Sequence, residues 1–161
     1  MKVKTIELQG KTKEATISLA QFLGKRAKPG DVLVLVGELG AGKTTFTKSF
    51  GKAMGYEGVI TSPTFTLIQE YMGPLPLYHF DTYRLEEVED VDELGFDDYF
   101  FGQGVCVIEW GERIEDFLPE NRLRLEIRSG KGEERTFLLQ GYGPRGEEWM
   151  KGVEDIENIR H

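Results

Sequence analysis

Cysteine occurs once in the 161 residues and histidine twice. A single thiol cannot close an intramolecular disulfide, and Cys106, His79 and His161 cannot supply the four ligands of a structural zinc site. The fold must therefore rest on an apolar core, which a chain of this length is large enough to bury. The missing disulfides agree with a reducing compartment, so a cytoplasmic location is expected. No run of 18 apolar residues is present, which excludes a membrane-spanning helix of ordinary length. Met1-Lys2-Val3-Lys4 leads into polar sequence, without the apolar core of a signal peptide. Repeats, biased tracts and long linkers are also lacking, as expected of one globular unit.

Basic residues are in deficit. Lys and Arg number 20 against 28 Asp and Glu, for a net charge of −8. An acidic chain is poorly suited to holding nucleic acid by itself, so direct nucleic-acid binding is not expected. The deficit is uneven: residues 1–55 hold ten basic and four acidic residues, leaving ten and twenty-four in the rest. The basic first third could steer an anion or an acidic partner, or be a solvated surface with no partner.

The chain opens with a short alternating strand, Lys2 to Leu8. An amphipathic helix follows, with Thr12 at its N-cap position and Ile17, Ala20, Phe22, Leu23 and Ala27 on its apolar side. Lys28-Pro29-Gly30-Asp31 turns the chain into Val32-Leu33-Val34-Leu35-Val36, a continuous β-branched run of the kind buried on both faces of a sheet. Thr61 to Ile68 reads as a Ser-Pro turn running into a strand-like segment, and further strands are expected from Leu77 to Asp81 and from Val105 to Trp110, where Cys106 reads as a buried residue rather than a reactive thiol. A short acidic helix is expected from Leu85 to Leu94, and Tyr99-Phe100-Phe101 read as packing aromatics. Leu123–Ile127 and Arg135–Leu139 form a hairpin around a turn at 129–133. The class that follows is α/β: a single domain, mainly parallel sheet with helices on both faces and an antiparallel edge hairpin. Residues 1–141 are expected to form this domain, and 142–161 a C-terminal tail, either a short helix or mobile.

Between the buried run and the next helix stands Gly37-Glu38-Leu39-Gly40-Ala41-Gly42-Lys43-Thr44, which fits the phosphate-loop pattern GxxxxGK[ST] at every fixed position. Strand, glycine loop and helix is the context the pattern requires, so the expected fold is a P-loop NTPase-like domain. Glycines let backbone N–H groups close on phosphate oxygens, Lys43 would bridge the β- and γ-phosphates, and the Thr44 hydroxyl would ligate Mg²⁺. The helix N-terminus adds partial positive charge beneath the anion. No NKxD element is present, so adenine is expected rather than guanine.

Hydrolysis also needs a metal carboxylate and a means of orienting water. Asp81 closes Leu77-Tyr78-His79-Phe80-Asp81, and Glu109 closes Val105-Cys106-Val107-Ile108-Glu109, both at strand ends where α/β sheets place ligands. Glu109 fits the apolar-run-then-acid pattern more cleanly, because His79 interrupts the other run. Either could instead cap the next turn. Thr64, in Thr61-Ser62-Pro63-Thr64, lies within reach of a γ-phosphate and could ligate Mg²⁺ as a switch loop does, or open a strand. Arg84 and Arg113 are candidate charge stabilisers or surface ion pairs. Trp110 could stack on a base or close the core, and the acidic run at 86–93 could dock a basic partner or face solvent.

GELGAGKTTF, SPTFTL, YHFDTYRL and VIEW, in this order and spacing over roughly residues 5–140, resemble the TsaE (YjeE) family. These are ATPase subunits of the bacterial machinery that makes threonylcarbamoyladenosine in tRNA. The resemblance implies a cytoplasmic ATPase associating with partners of the TsaD and TsaB type, and supporting their turnover without performing the transfer. It implies ATP binding by Glu38, Leu39, Gly40, Ala41, Gly42, Lys43, Thr44 and Thr45. Thr44 and Glu109 are the implied Mg²⁺ ligands, Asp81 a catalytic or metal-linked acid, and Arg135 a basic residue near the nucleotide. Two other functions share the loop. A nucleotide-gated adaptor would need no hydrolysis, and a small-molecule kinase would need a basic lid that this sequence lacks.

Overall fold

The computed structural model describes residues 3–38, 40–60, 68–81, 96–109 and 115–160. Val32–Gly37 (β2) is buried at every position because it lies mid-sheet. Val105–Glu109 (β5) pairs with it on one side and Arg122–Ser129 (β6) on the other, both parallel. Leu77–Asp81 (β4) continues the parallel set beyond β5, and Ile68–Tyr71 (β3) closes that edge antiparallel to β4. On the other side Arg135–Tyr142 (β7) returns antiparallel to β6, and Val3–Gly10 (β1) pairs antiparallel with β7. The seven strands run β1-β7-β6-β2-β5-β4-β3. Antiparallel strands thus occupy both edges, and the β6–β7 hairpin is itself covered by β1, so the outermost strand there is the first of the chain.

Strand alternation divides the core in two. Leu33, Leu35, Val105, Val107, Leu123 and Leu125 face one way, toward Lys13–Lys25 (α1) and Lys43–Ala53 (α2). Val32, Val34, Cys106 and Ile108 face the other, under Phe96–Phe100 (α3). Phe80 meets Phe96 edge to face at 5.2 Å on this second side. The short α3 buries Phe96 and Phe100, one turn apart, but Phe101 follows outside it and is 73% exposed, so this aromatic is not a packing residue. The acidic helix expected at 85–94 lies outside the described residues.

Beyond β7 the chain forms Gly143–Trp149 (α4) and a short 3-10 turn, Val153–Asp155. Trp149, Met150 and Val153 are buried in the first core, and the indole N–H of Trp149 donates to the Leu23 carbonyl at 3.0 Å. The Arg145 guanidinium grips buried Asp31 through both carboxylate oxygens, at 2.8 and 2.7 Å. The last residues are stitched to the first strand by Gln9–Arg160 backbone bonds. Thr12 occupies the N-cap position of α1 but makes no side-chain cap. The Lys13 N–H instead donates to the Glu133 carboxylate at 2.9 Å, so the cap comes from the β6–β7 turn.

Candidate functional site

The site stands where β2, β4 and β5 end together at their carboxyl edge, the position at which parallel sheets bind ligands. From β2 the chain passes through Gly37 and Glu38, reaches Gly40 and Gly42 with φ of 83° and 112°, and enters α2 at Lys43. Such angles suit glycine, which carries no Cβ to clash. At Gly37 an added Cβ would stand 2.9 Å from the Ile127 carbonyl oxygen and 3.6 Å from Lys43 Cδ, so the lysine stem folds back over the start of the loop. This leaves a backbone cradle at the head of α2, whose first-turn N–H groups an α-helix cannot bond internally. Thr44 is exposed there, and Lys43 and Thr45 are half-buried. Buried Ala41 anchors the loop to the core.

Arg135 braces this loop from outside. Its Nε donates to the Ala41 carbonyl at 2.9 Å and its Nη2 to the Gly40 carbonyl at 3.4 Å. Nη1 donates to the carbonyls of Gly132 and Glu134 at 2.8 and 2.7 Å. A cavity of about 260 Å³ opens beside it, lined by Lys13, Thr16, Gly40, Gly42, Thr45 and Arg135 among others.

Glu109 lies in register with Leu35 of β2 and with Asp81 of β4, which sets the two acids side by side near the loop. Glu109 is 7% exposed and His79 is 2% exposed, and His79 Nε2 stands 3.4 Å from Glu109 Oε2. Sequence alone counted His79 as a flaw in the Asp81 run. Alternation could have flagged it, since residues 79 and 81 of a strand share a face. Lys43, Thr44, Glu109, Asp81 and Arg135 thus belong to structural elements that meet around one loop. Leu39, Thr64, Arg84, Trp110 and Arg113 lie outside the described residues.

No group of three or more His, Cys, Asp or Glu suited to a metal occurs among the described residues. The oxygen donors on the elements that meet at the glycine loop include the Thr44 hydroxyl and the Glu109 carboxylate. This hard-oxygen set suits Mg²⁺, which takes few protein ligands and completes its shell with phosphate and water. The donors present therefore fit the ion that the loop implies. Cys106 takes no part: burial pushes its thiol up to about 12, and its Sγ lies 3.5 Å from the Tyr99 carbonyl. No described helix is long and apolar enough to cross a membrane.

A mostly parallel central sheet, with a glycine loop leading from a buried strand into a helix, defines a P-loop NTPase-like protein. A crystal structure of Bacillus subtilis YdiB superposes with a TM-score of 0.79 at 42% identity, covering 96% of this chain and 97% of that one. The family model described as threonylcarbamoyl adenosine biosynthesis protein TsaE matches residues 10–137. The chain belongs to the TsaE family. The tRNA threonylcarbamoyladenosine biosynthesis protein TsaE of Bacillus subtilis is 46% identical over 147 residues, 91% of this chain and 92% of that protein. The protein of the same name from Streptomyces coelicolor is 41% identical over 139 residues, covering 79% and 90%.

Proposed function

We propose that this protein binds Mg·ATP at the Gly37–Thr45 loop and hydrolyses it, slowly when alone, to support turnover of the cytoplasmic complex that forms threonylcarbamoyladenosine in tRNA. The observation that carries the reading is the convergence of the loop, Asp81 and Glu109 at the ends of adjacent parallel strands. Family membership supplies the process, and the expected partners are of the TsaD and TsaB type.

Each residue then has a task. Backbone N–H groups from Glu38 to Thr45 bind phosphate oxygens, and the Lys43 ammonium neutralises charge that develops on the transferring phosphoryl group. Thr44 and Glu109 would hold Mg²⁺, with Asp81 and Thr64 as further candidates. When bound, the ion neutralises the β- and γ-phosphates and fixes their orientation. Asp81, in register with Glu109, supplies a second carboxylate that can hold a proton of the attacking water. Arg135 keeps the loop in shape.

Slow intrinsic turnover agrees with what Arg135 is doing. Every nitrogen of its guanidinium donates to backbone carbonyls, so it is committed to the loop rather than extended as an arginine finger. Supplying such a group from a partner raises phosphoryl-transfer rates by roughly 10³–10⁵-fold in other NTPases. Phosphate release should therefore be slow for the isolated protein and rise when the partner pair is added. A fast rate independent of partners would refute the proposal.

A further inference from the structure

His79 is buried in β4, yet neither ring nitrogen has a hydrogen-bond partner among the described residues. Both of its nitrogens are shielded from water, and a buried polar group without a partner is costly enough that native structures rarely keep one without a use. Its surroundings say what the use is. Parallel register places His79 beside Val107 and Asp81 beside Glu109, so the imidazole lies one step behind the two carboxylates on their own face of the sheet. Nε2 stands 3.4 Å from Glu109 Oε2, roughly half an ångström beyond an ordinary N–H···O bond.

We infer that His79 is a positioning residue, whose Nε2–H donates to Oε2 of Glu109 and holds that carboxylate with its other oxygen turned toward the metal of Mg·ATP. This rests on the reading of Glu109 as a metal ligand. A carboxylate that gives one oxygen to a metal keeps the other to accept a hydrogen bond, and removing such a support typically costs 10–100-fold in metal affinity. The half-ångström closure is small enough to accompany nucleotide and metal binding without moving a strand. The arrangement also explains why the apolar run before Asp81 is interrupted at position 79 and not at Phe80. Only odd positions of β4 face Glu109.

The test measures Mn²⁺ affinity, by the paramagnetic signal of free ion, for the full-length protein loaded with a non-hydrolysable ATP analogue. The amide nitrogen of glutamine reaches the place of Nε2, whereas that of asparagine falls near Nδ1. H79N and H79L should lose about 10–100-fold in Mn²⁺ affinity while H79Q stays within about threefold of the unaltered protein. Affinity for the analogue without metal should be unchanged in all three. Wild-type Mn²⁺ affinity in H79L, or equal losses in H79Q and H79N, would overturn the inference. If H79L fails to fold, as a thermal melt would reveal, the two amide variants carry the comparison. E109Q measured alongside separates two failures. If it weakens Mn²⁺ while H79N does not, only the positioning role is lost; if E109Q itself keeps full affinity, the metal-ligand reading falls and this inference with it.

Discussion

Arg135 Nε donates to the Ala41 carbonyl at 2.9 Å, joining the start of β7 to a loop 94 residues earlier in the chain. The bond ties the glycine loop to the edge of the β6–β7 hairpin. Hydrogen bonds to a charged group contribute about 1.5–3 kcal/mol each, and 1.4 kcal/mol is a factor of ten in affinity. Arg135→Ala should weaken ATP binding by roughly tenfold or more through a less ordered loop. Arg135→Lys should recover little of it, because an ammonium cannot span several carbonyls with a planar fork. Calorimetric titration of both variants with ATP checks this.

Lys43 tests the same loop from the ligand side. Its stem lies over Gly37, and in the proposed function its ammonium acts on bound phosphate. Lys43→Ala should lose most nucleotide affinity while the domain stays folded, since Lys43 is only half-buried and lies outside the apolar core. Equal ATP binding by the variant would count against the loop as the site.

Arg145 tests whether the C-terminal helix is part of the core. Its bidentate bond to Asp31, together with its donation to the Arg26 carbonyl, fastens α4 to the end of α1 and the start of β2. The Asp31 partnership also holds the guanidinium pKa above its ordinary value. Asp31 is almost wholly buried, so Arg145→Met would leave its carboxylate with the Lys28 N–H but no charged partner, and should destabilise the fold by about 3 kcal/mol. Urea unfolding followed by tryptophan fluorescence reads this directly.

Cys106 gives a pH-dependent prediction. Burial raises its thiol from 9.0 to about 12, which favours the neutral form in the folded state. Stability from this group is complete below the unfolded value and is lost as pH rises from about 9 toward 12. At pH 8 the native thiol should resist a disulfide-forming reagent and react at once after denaturation. Rapid labelling of the native protein would contradict its burial.

How much of this was legible in the sequence depended on how local each determinant is. Val32–Gly37 announced itself because a strand covered on both faces is apolar throughout, and the loop after it is fixed by a contiguous motif. Glu109 and Asp81 were legible because each ends its own run. What escaped were relations made by pairing. His79 approaches Glu109 only through the parallel register of β4 and β5. Glu133 caps α1 from 120 residues away, so Thr12 looked sufficient and was not. Asp31 and Arg145 are 114 residues apart, and neither stands in a recognisable pattern. Phe101 misled for a simpler reason. Three aromatics in a row suggest a core, but a helix ending at Phe100 can bury only one side.

The central claim is that ATP is hydrolysed at a site where Glu109 holds the metal, and that hydrolysis is what the tRNA-modifying partners require. Glu109→Gln keeps the shape of the side chain and removes its charge, so it separates hydrolysis from nucleotide binding. The decisive measurement is multiple-turnover formation of threonylcarbamoyladenosine by the partner pair with either form of this protein. ATP binding, ATP hydrolysis and product are followed together. The variant should still bind ATP, lose hydrolysis and fail to sustain turnover. Full turnover by a variant that binds ATP but does not hydrolyse it would contradict the account, and would make the protein an adaptor gated by nucleotide alone.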